Sequence, residues 1–126
     1  MINLKKYCLL NNFDKDQTYI LENLETYLNF NKIPSNFFDN LYKLYDLSDT
    51  KIYDSQENVI PKHYNDLPIQ PIDFITQNNL DFCSGNIVKY VSRLGNKDSK
   101  KDELKKIFFY FDFLINKNSN KTREIF

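Results

Sequence analysis

Apolar residues recur at helical intervals along most of this chain. Ile20, Leu21, Leu24, Tyr27 and Leu28 mark one stripe, and Phe37, Phe38, Leu41, Leu44 and Tyr45 mark a second. Three more follow: Ile72, Phe74 and Ile75; then Ile87, Tyr90, Val91 and Leu94; then Leu104, Ile107, Phe108, Phe111, Leu114 and Ile115. Punctuation sets their bounds. Asp14 or Asp16 can cap the first helix, which stops near Asn31 because Ile33 precedes Pro34 and is pushed away from helical dihedrals. Ser35 or Asn36 starts the second. Pro71 suits the first position of the third, and Asn78-Asn79 stops it. Gly95-Asn96 closes the helix that opens at about Ser84, and Ser99 through Asp102 resembles a capping box. The predicted helices run 14–31, 35–47, 71–78, 84–94 and 99–116. The expected fold is all-α: an N-terminal α-hairpin, then a three-helix motif.

Less patterned stretches divide the chain. Tyr7, Leu9, Leu10 and Phe13 fit a turn of helix or a strand, so residues 1–13 stay open. Residues 48–62 read as a connector with a weak strand at 51–53, and residues 119–126 as a frayed polar tail. Residues 1–62 then form a hairpin and connector, and residues 63–118 a core. The last helix also carries Phe109 and Phe113 away from its main stripe, a patch for either the N-terminal hairpin or a second subunit.

Composition narrows the classes. The chain is 126 residues long and 41% hydrophobic, with 11 Phe and 9 Tyr, enough for a packed core without disulfides or metal. Basic and acidic groups balance at 17 each, so the broad positive footprint of a nucleic-acid binder is missing. Cys8 and Cys83 stand in unrelated contexts and His63 is the single histidine, which argues against a Cys/His zinc site. Two unpaired thiols fit small buried side chains in a reducing cytoplasm. No apolar run approaches the ~20 residues of a membrane span, and the first residues lack a leader's apolar centre. A soluble cytoplasmic protein, with no membrane partner, is expected.

The two glycines, Gly85 and Gly95, cannot write a phosphate loop or a dinucleotide fingerprint. What remains is polar helix faces. Asn86, Lys89 and Arg93 share one side of their helix, with Lys97 just beyond it, and Glu103, Lys106 and Tyr110 share a side of the next. If these helices pack through their apolar stripes, the polar sides flank one groove. Lys89, Arg93 and Lys97 could hold phosphate oxygens there, Arg93 as a bidentate fork, and Glu103 could orient Arg93 or Lys89 or bind a hydroxyl. Gly85 would let an anion approach backbone N–H groups at the helix start, and Tyr64, Tyr90 or Tyr110 could stack on a base. Lys and Arg on such helices are commonly just a solvated face.

The same residues carry a resemblance. His63-Tyr64, Pro71-Ile72-Asp73-Phe74-Ile75, Gly85-Asn86-Ile87-Val88-Lys89-Tyr90-Val91 with Arg93, then Lys97, then Glu103-Leu104-Lys105-Lys106 with Tyr110 occur in order. This resembles the small phage proteins grouped as the domain of unknown function DUF3310, which include the nucleotide kinase of a T7-type bacteriophage. Glu103 stands where that family usually has Asp, and Ile107 where it has Ala. The resemblance implies a helical, homo-oligomeric protein of an infected or lysogenic cell that binds a (deoxy)nucleotide. It also implies phosphoryl transfer to a nucleoside monophosphate, with Mg²⁺ and a nucleoside triphosphate as donor. His63, Lys89, Arg93 and Glu103 would then be catalytic. Tyr64, Gly85, Asn86, Tyr90, Lys97, Lys106 and Tyr110 would complete the nucleotide site. The alternative is a module that binds a nucleotide or a host protein without turnover, such as a counter-defence factor.

Overall fold

Asn3 opens the first helix by accepting a hydrogen bond from the Lys6 amide at 3.0 Å. The computed structural model describes residues 1–48, 67–96 and 98–117. Its elements are α1 (Leu4–Leu10), α2 (Lys15–Phe30), α3 (Phe37–Leu47), α4 (Pro71–Gln77), α5 (Phe82–Ser92), α6 (Lys100–Asp112) and a closing π-helical turn (Phe113–Lys117). No strand occurs among the described residues, so the fold is all-α. The connector with its weak strand, His63, Tyr64, Lys97 and the tail lie outside the described residues.

Helix α1 settles the open choice at the N-terminus. Leu4, Tyr7 and Cys8 are buried at i, i+3, i+4 spacing, while Leu9 and Leu10 face outward. Seven residues are too few for a helix to persist by itself. Tertiary bonds hold this one: the Asn29 amide pairs with both backbone groups of Ile2, and Glu25 accepts from the Lys5 amide.

Helix α2 starts at Asp14, in a capping box with Gln17, and ends on Asn31 in the left-handed region at φ 56°. Gln17 has a second task. Its amide also donates to the Val91 carbonyl at 2.9 Å, so the start of α2 satisfies the end of α5. Helix α3 lays Phe37 against Phe111 at 4.8 Å and Phe38 against Phe108 at 5.3 Å, seating the N-terminal hairpin on α6. The hairpin therefore covers Phe108 and Phe111, and Phe109 is left 54% exposed.

Pro71 takes the first position of α4, and Asn79 at φ 51° turns the chain toward α5. Helix α5 begins two residues earlier than the glycine suggested, because Asp81 is its cap, accepting from the Ser84 amide and hydroxyl. Gly95 at φ 80° makes the turn into α6, which Ser99 caps. Tyr7, deep beneath α5, exchanges a 2.8 Å hydrogen bond with Ser92. One core results, running from Leu4, Ile20 and Leu24 through Ile87 and Val91 to Ile107 and Phe111. No described helix is long and apolar enough to cross a membrane.

Candidate functional site

Helices α5 and α6 pack more extensively than any other described pair, and their polar edges meet at Tyr90. Three cations surround that ring: the Arg93 guanidinium at 4.6 Å from its centroid, Lys106 Nζ at 5.2 Å and Lys89 Nζ at 5.3 Å. Tyr110 stacks on Tyr90 at 6.0 Å with 15° between planes, and Phe82 and Phe109 meet Tyr110 edge-on. The structure therefore gathers Lys89, Tyr90, Arg93, Glu103, Lys106 and Tyr110, all singled out by helical arithmetic.

Their roles differ from the simple groove. Arg93 lies past the last turn of α5, as its C-cap, and points inward, only 5% exposed. Its Nε donates to Glu103 Oε2 at 3.3 Å. It is not an outward fork for phosphate, because its hydrogen-bonding edge is committed to a buried carboxyl. Asn86 turns back on its own helix, donating to the Phe82 carbonyl. Gly85 cannot offer its amide to an anion either, since that N–H already donates to Asp81. It is buried, and a Cβ there would stand 3.2 Å from Ile75 Cγ2, so any larger residue would make the Ile75 side chain shift by a few tenths of an ångström where α4 meets α5. The start of α5 is capped by a carboxylate, which disfavours an anion at that point.

Asp98, which no periodicity marks, completes the cluster. Its Oδ2 lies 3.2 Å from Lys106 Nζ and 4.0 Å from Arg93 Nη2. It also shares a hydrogen bond with Glu103, which holds Asp98 below the usual carboxylate range. Glu103 moves the other way. Burial pushes it up, Arg93 opposes, and the bond to Asp98 adds to the rise. Glu103 Oε1 receives no hydrogen bond from a donor among the described residues.

These shifts set a pH signature. Above the ordinary 4.5 of Glu103 the folded protein binds more protons than the unfolded chain, so this group's contribution is lost as pH rises through the folded pKa. Asp98 acts oppositely: its contribution is present above the ordinary 3.8 and lost as pH falls through the lowered value. Glu103→Gln should therefore flatten the decline on the high-pH side and leave the acid limb. Urea midpoints measured across pH check this, and an unchanged slope above 4.5 would contradict it.

Two shallow clefts adjoin the cluster, each about 210 Å³ and both bordered by Ile75 and Lys89. One reaches Gln70, Pro71 and Ile72; the other reaches Asp81, Phe82 and Asn86. A third cleft of about 230 Å³, between α3 and α6, is lined by Leu41, Tyr42, Tyr45, Leu104, Lys105 and Phe108 and shares no lining residue with the Tyr90 cluster. Thiol chemistry is not favoured. Burial pushes Cys8 up to about 12, and Cys83, half-buried rather than buried, is also raised. Among the described residues no three His, Cys, Asp or Glu side chains converge as metal ligands.

The family model DUF3310, described as a protein of unknown function, matches residues 59–112. That span contains α4, α5 and all of α6, with every residue of the Tyr90 cluster. No curated protein and no solved structure matches the chain.

Proposed function

We propose that this protein binds a nucleotide, with its phosphates against Lys89 and Lys106 and its base on the adjoining aromatic face. One observation carries the reading: three cations lie within 5.3 Å of one tyrosine ring. Like charges so close repel, and they are opposed by Asp98 and by a Glu103 biased toward its neutral form. The surplus positive charge favours an anionic ligand. Exposed Phe82 and half-exposed Tyr110 supply ring faces for a base beside it. The DUF3310 match, whose description names no function, covers these residues, the same ones that carry the resemblance read from the sequence.

Phosphoryl transfer to a (deoxy)nucleoside monophosphate is the reaction this binding would serve. It needs positioning and charge neutralisation more than covalent chemistry. Lys89 and Lys106 suit phosphate contact, whereas Arg93 and Glu103 hold one another and act as the support beneath. Mg²⁺ would arrive with the donor nucleoside triphosphate, on its phosphates. The mutual engagement of Arg93 and Glu103 favours, as a second reading, a module that binds without turnover. Phe82 and Phe109, 75% and 54% exposed, give the same face apolar surface for a second copy or a host protein.

Calorimetric titration of the full chain with a panel of deoxynucleoside monophosphates should show saturable binding. Lys106→Ala should weaken it by about tenfold or more, the loss typical of one charge-assisted hydrogen bond. No binding, or full affinity in that variant, defeats the proposal. Adding a nucleoside triphosphate and Mg²⁺ then separates the two readings by the presence or absence of diphosphate product.

A further inference from the structure

We infer that Asp98 occupies the phosphate subsite as an internal anion, and that a ligand must displace it to bind. This deepens the nucleotide-binding reading and rests on it. The carboxylate faces Lys106, a cation that a phosphate would seek, at 3.2 Å, and lies 4.0 Å from Nη2 of the buried Arg93 beneath it. A phosphate oxygen asks for the same donors, with greater charge and more acceptor oxygens. Of the two acids at the cluster, Asp98 alone can leave. Its side chain is 39% exposed in the turn between α5 and α6, whereas that of Glu103 is fully buried against Arg93. Moving Asp98 into water therefore costs little, and Arg93 stays anchored to Glu103 through Nε as the support beneath the ligand.

The consequence is a threshold. A tethered carboxylate competes at an effective concentration of roughly millimolar or above. It lowers the affinity for every anion by the same factor, so a ligand with a single carboxylate-like charge falls short of occupancy and a phosphate dianion reaches it. Asp98 is thus a residue that sets how strongly an anion must bind to enter the site.

The test compares the full-length parent, Asp98→Asn and Asp102→Asn by calorimetry with deoxynucleoside monophosphates and with inorganic phosphate. Asp102 is exposed in the first turn of α6 and removes the same charge without touching the subsite. Asp98→Asn should bind about threefold to tenfold tighter, a range set by the usual worth of a partly exposed ion pair and its hydrogen bond. Asp102→Asn should match the parent. Asp98→Ser should reproduce the gain and replaces the asparagine variant if that one misfolds. Parental or weaker affinity without Asp98, or an equal gain in Asp102→Asn, overturns the inference and leaves nucleotide binding standing. Absence of binding in all variants overturns both.

Discussion

Arg93→Ala is expected to destabilise the protein by about 3–5 kcal/mol, the loss typical of a buried ion pair broken from one side. The side chains of Arg93 and Glu103 are 6% and 0% exposed, and the bond between them is 3.3 Å long. Without the guanidinium, Glu103 is a buried carboxyl whose nearest charged neighbour is another carboxyl. It would answer by taking up a proton more readily, which sets the lower end of the range. Tyr90 would also lose the cation 4.6 Å from its ring centroid. Replacing both partners, Arg93→Met with Glu103→Leu, should recover most of the loss, because two apolar chains of similar size leave no charge to solvate. Urea unfolding of the parent, both single variants and the double variant closes the cycle. A loss under about 1 kcal/mol for Arg93→Ala would mean that the pair is hydrated and carries no structural weight.

The Arg93 case also marks where the sequence stopped being informative. Spacing put Arg93 beside Asn86 and Lys89, which holds only while the helix continues. Helix α5 ends at Ser92, and at φ −108°, ψ 18° Arg93 swings toward Glu103 instead. The partnership with Glu103 was legible, because charge and helix packing both suggest it. Its burial was not, since it depends on how closely α6 approaches. Asp81 went unnoticed as a cap because the residue it introduces, Phe82, is 75% exposed and extends no apolar stripe. In α1 the exposed Leu9 and Leu10 blurred a three-residue buried face. Helix α2, with a long stripe and a capping box, was readable almost to the residue, and so was the short α4, whose first position Pro71 fixes; α6 was readable at its Ser99 cap but passes into a π-helical turn at Phe113. Asp98 was out of reach: it lies in a turn, and only the fold brings it to Lys106.

Deleting residues 1–48 should abolish cooperative folding of the remainder, although the family match begins only at residue 59. Eight of the sixteen buried apolar side chains in the core cluster come from α1, α2 and α3. At about 1.5–3 kcal/mol for each large side chain, their loss is comparable to or larger than the roughly 5–15 kcal/mol by which a domain is normally stable. The polar bookkeeping agrees. Val91 would lose the Gln17 donor at its carbonyl, and Ser92 would lose Tyr7. The inward faces of Ile87, Val91 and Phe111 would turn to water together. Circular dichroism on the truncated chain should show a broad, shallow melt, and its amide NMR spectrum should be poorly dispersed. A sharp transition with a dispersed spectrum would mean that α4, α5 and α6 can bury these faces by themselves, for instance against a second copy. The contacts at Ser92 and Phe111 argue against that outcome. They place the N-terminal helices beneath the Tyr90 cluster, so the cations above keep their positions only while α1, α2 and α3 hold α5 and α6 from below.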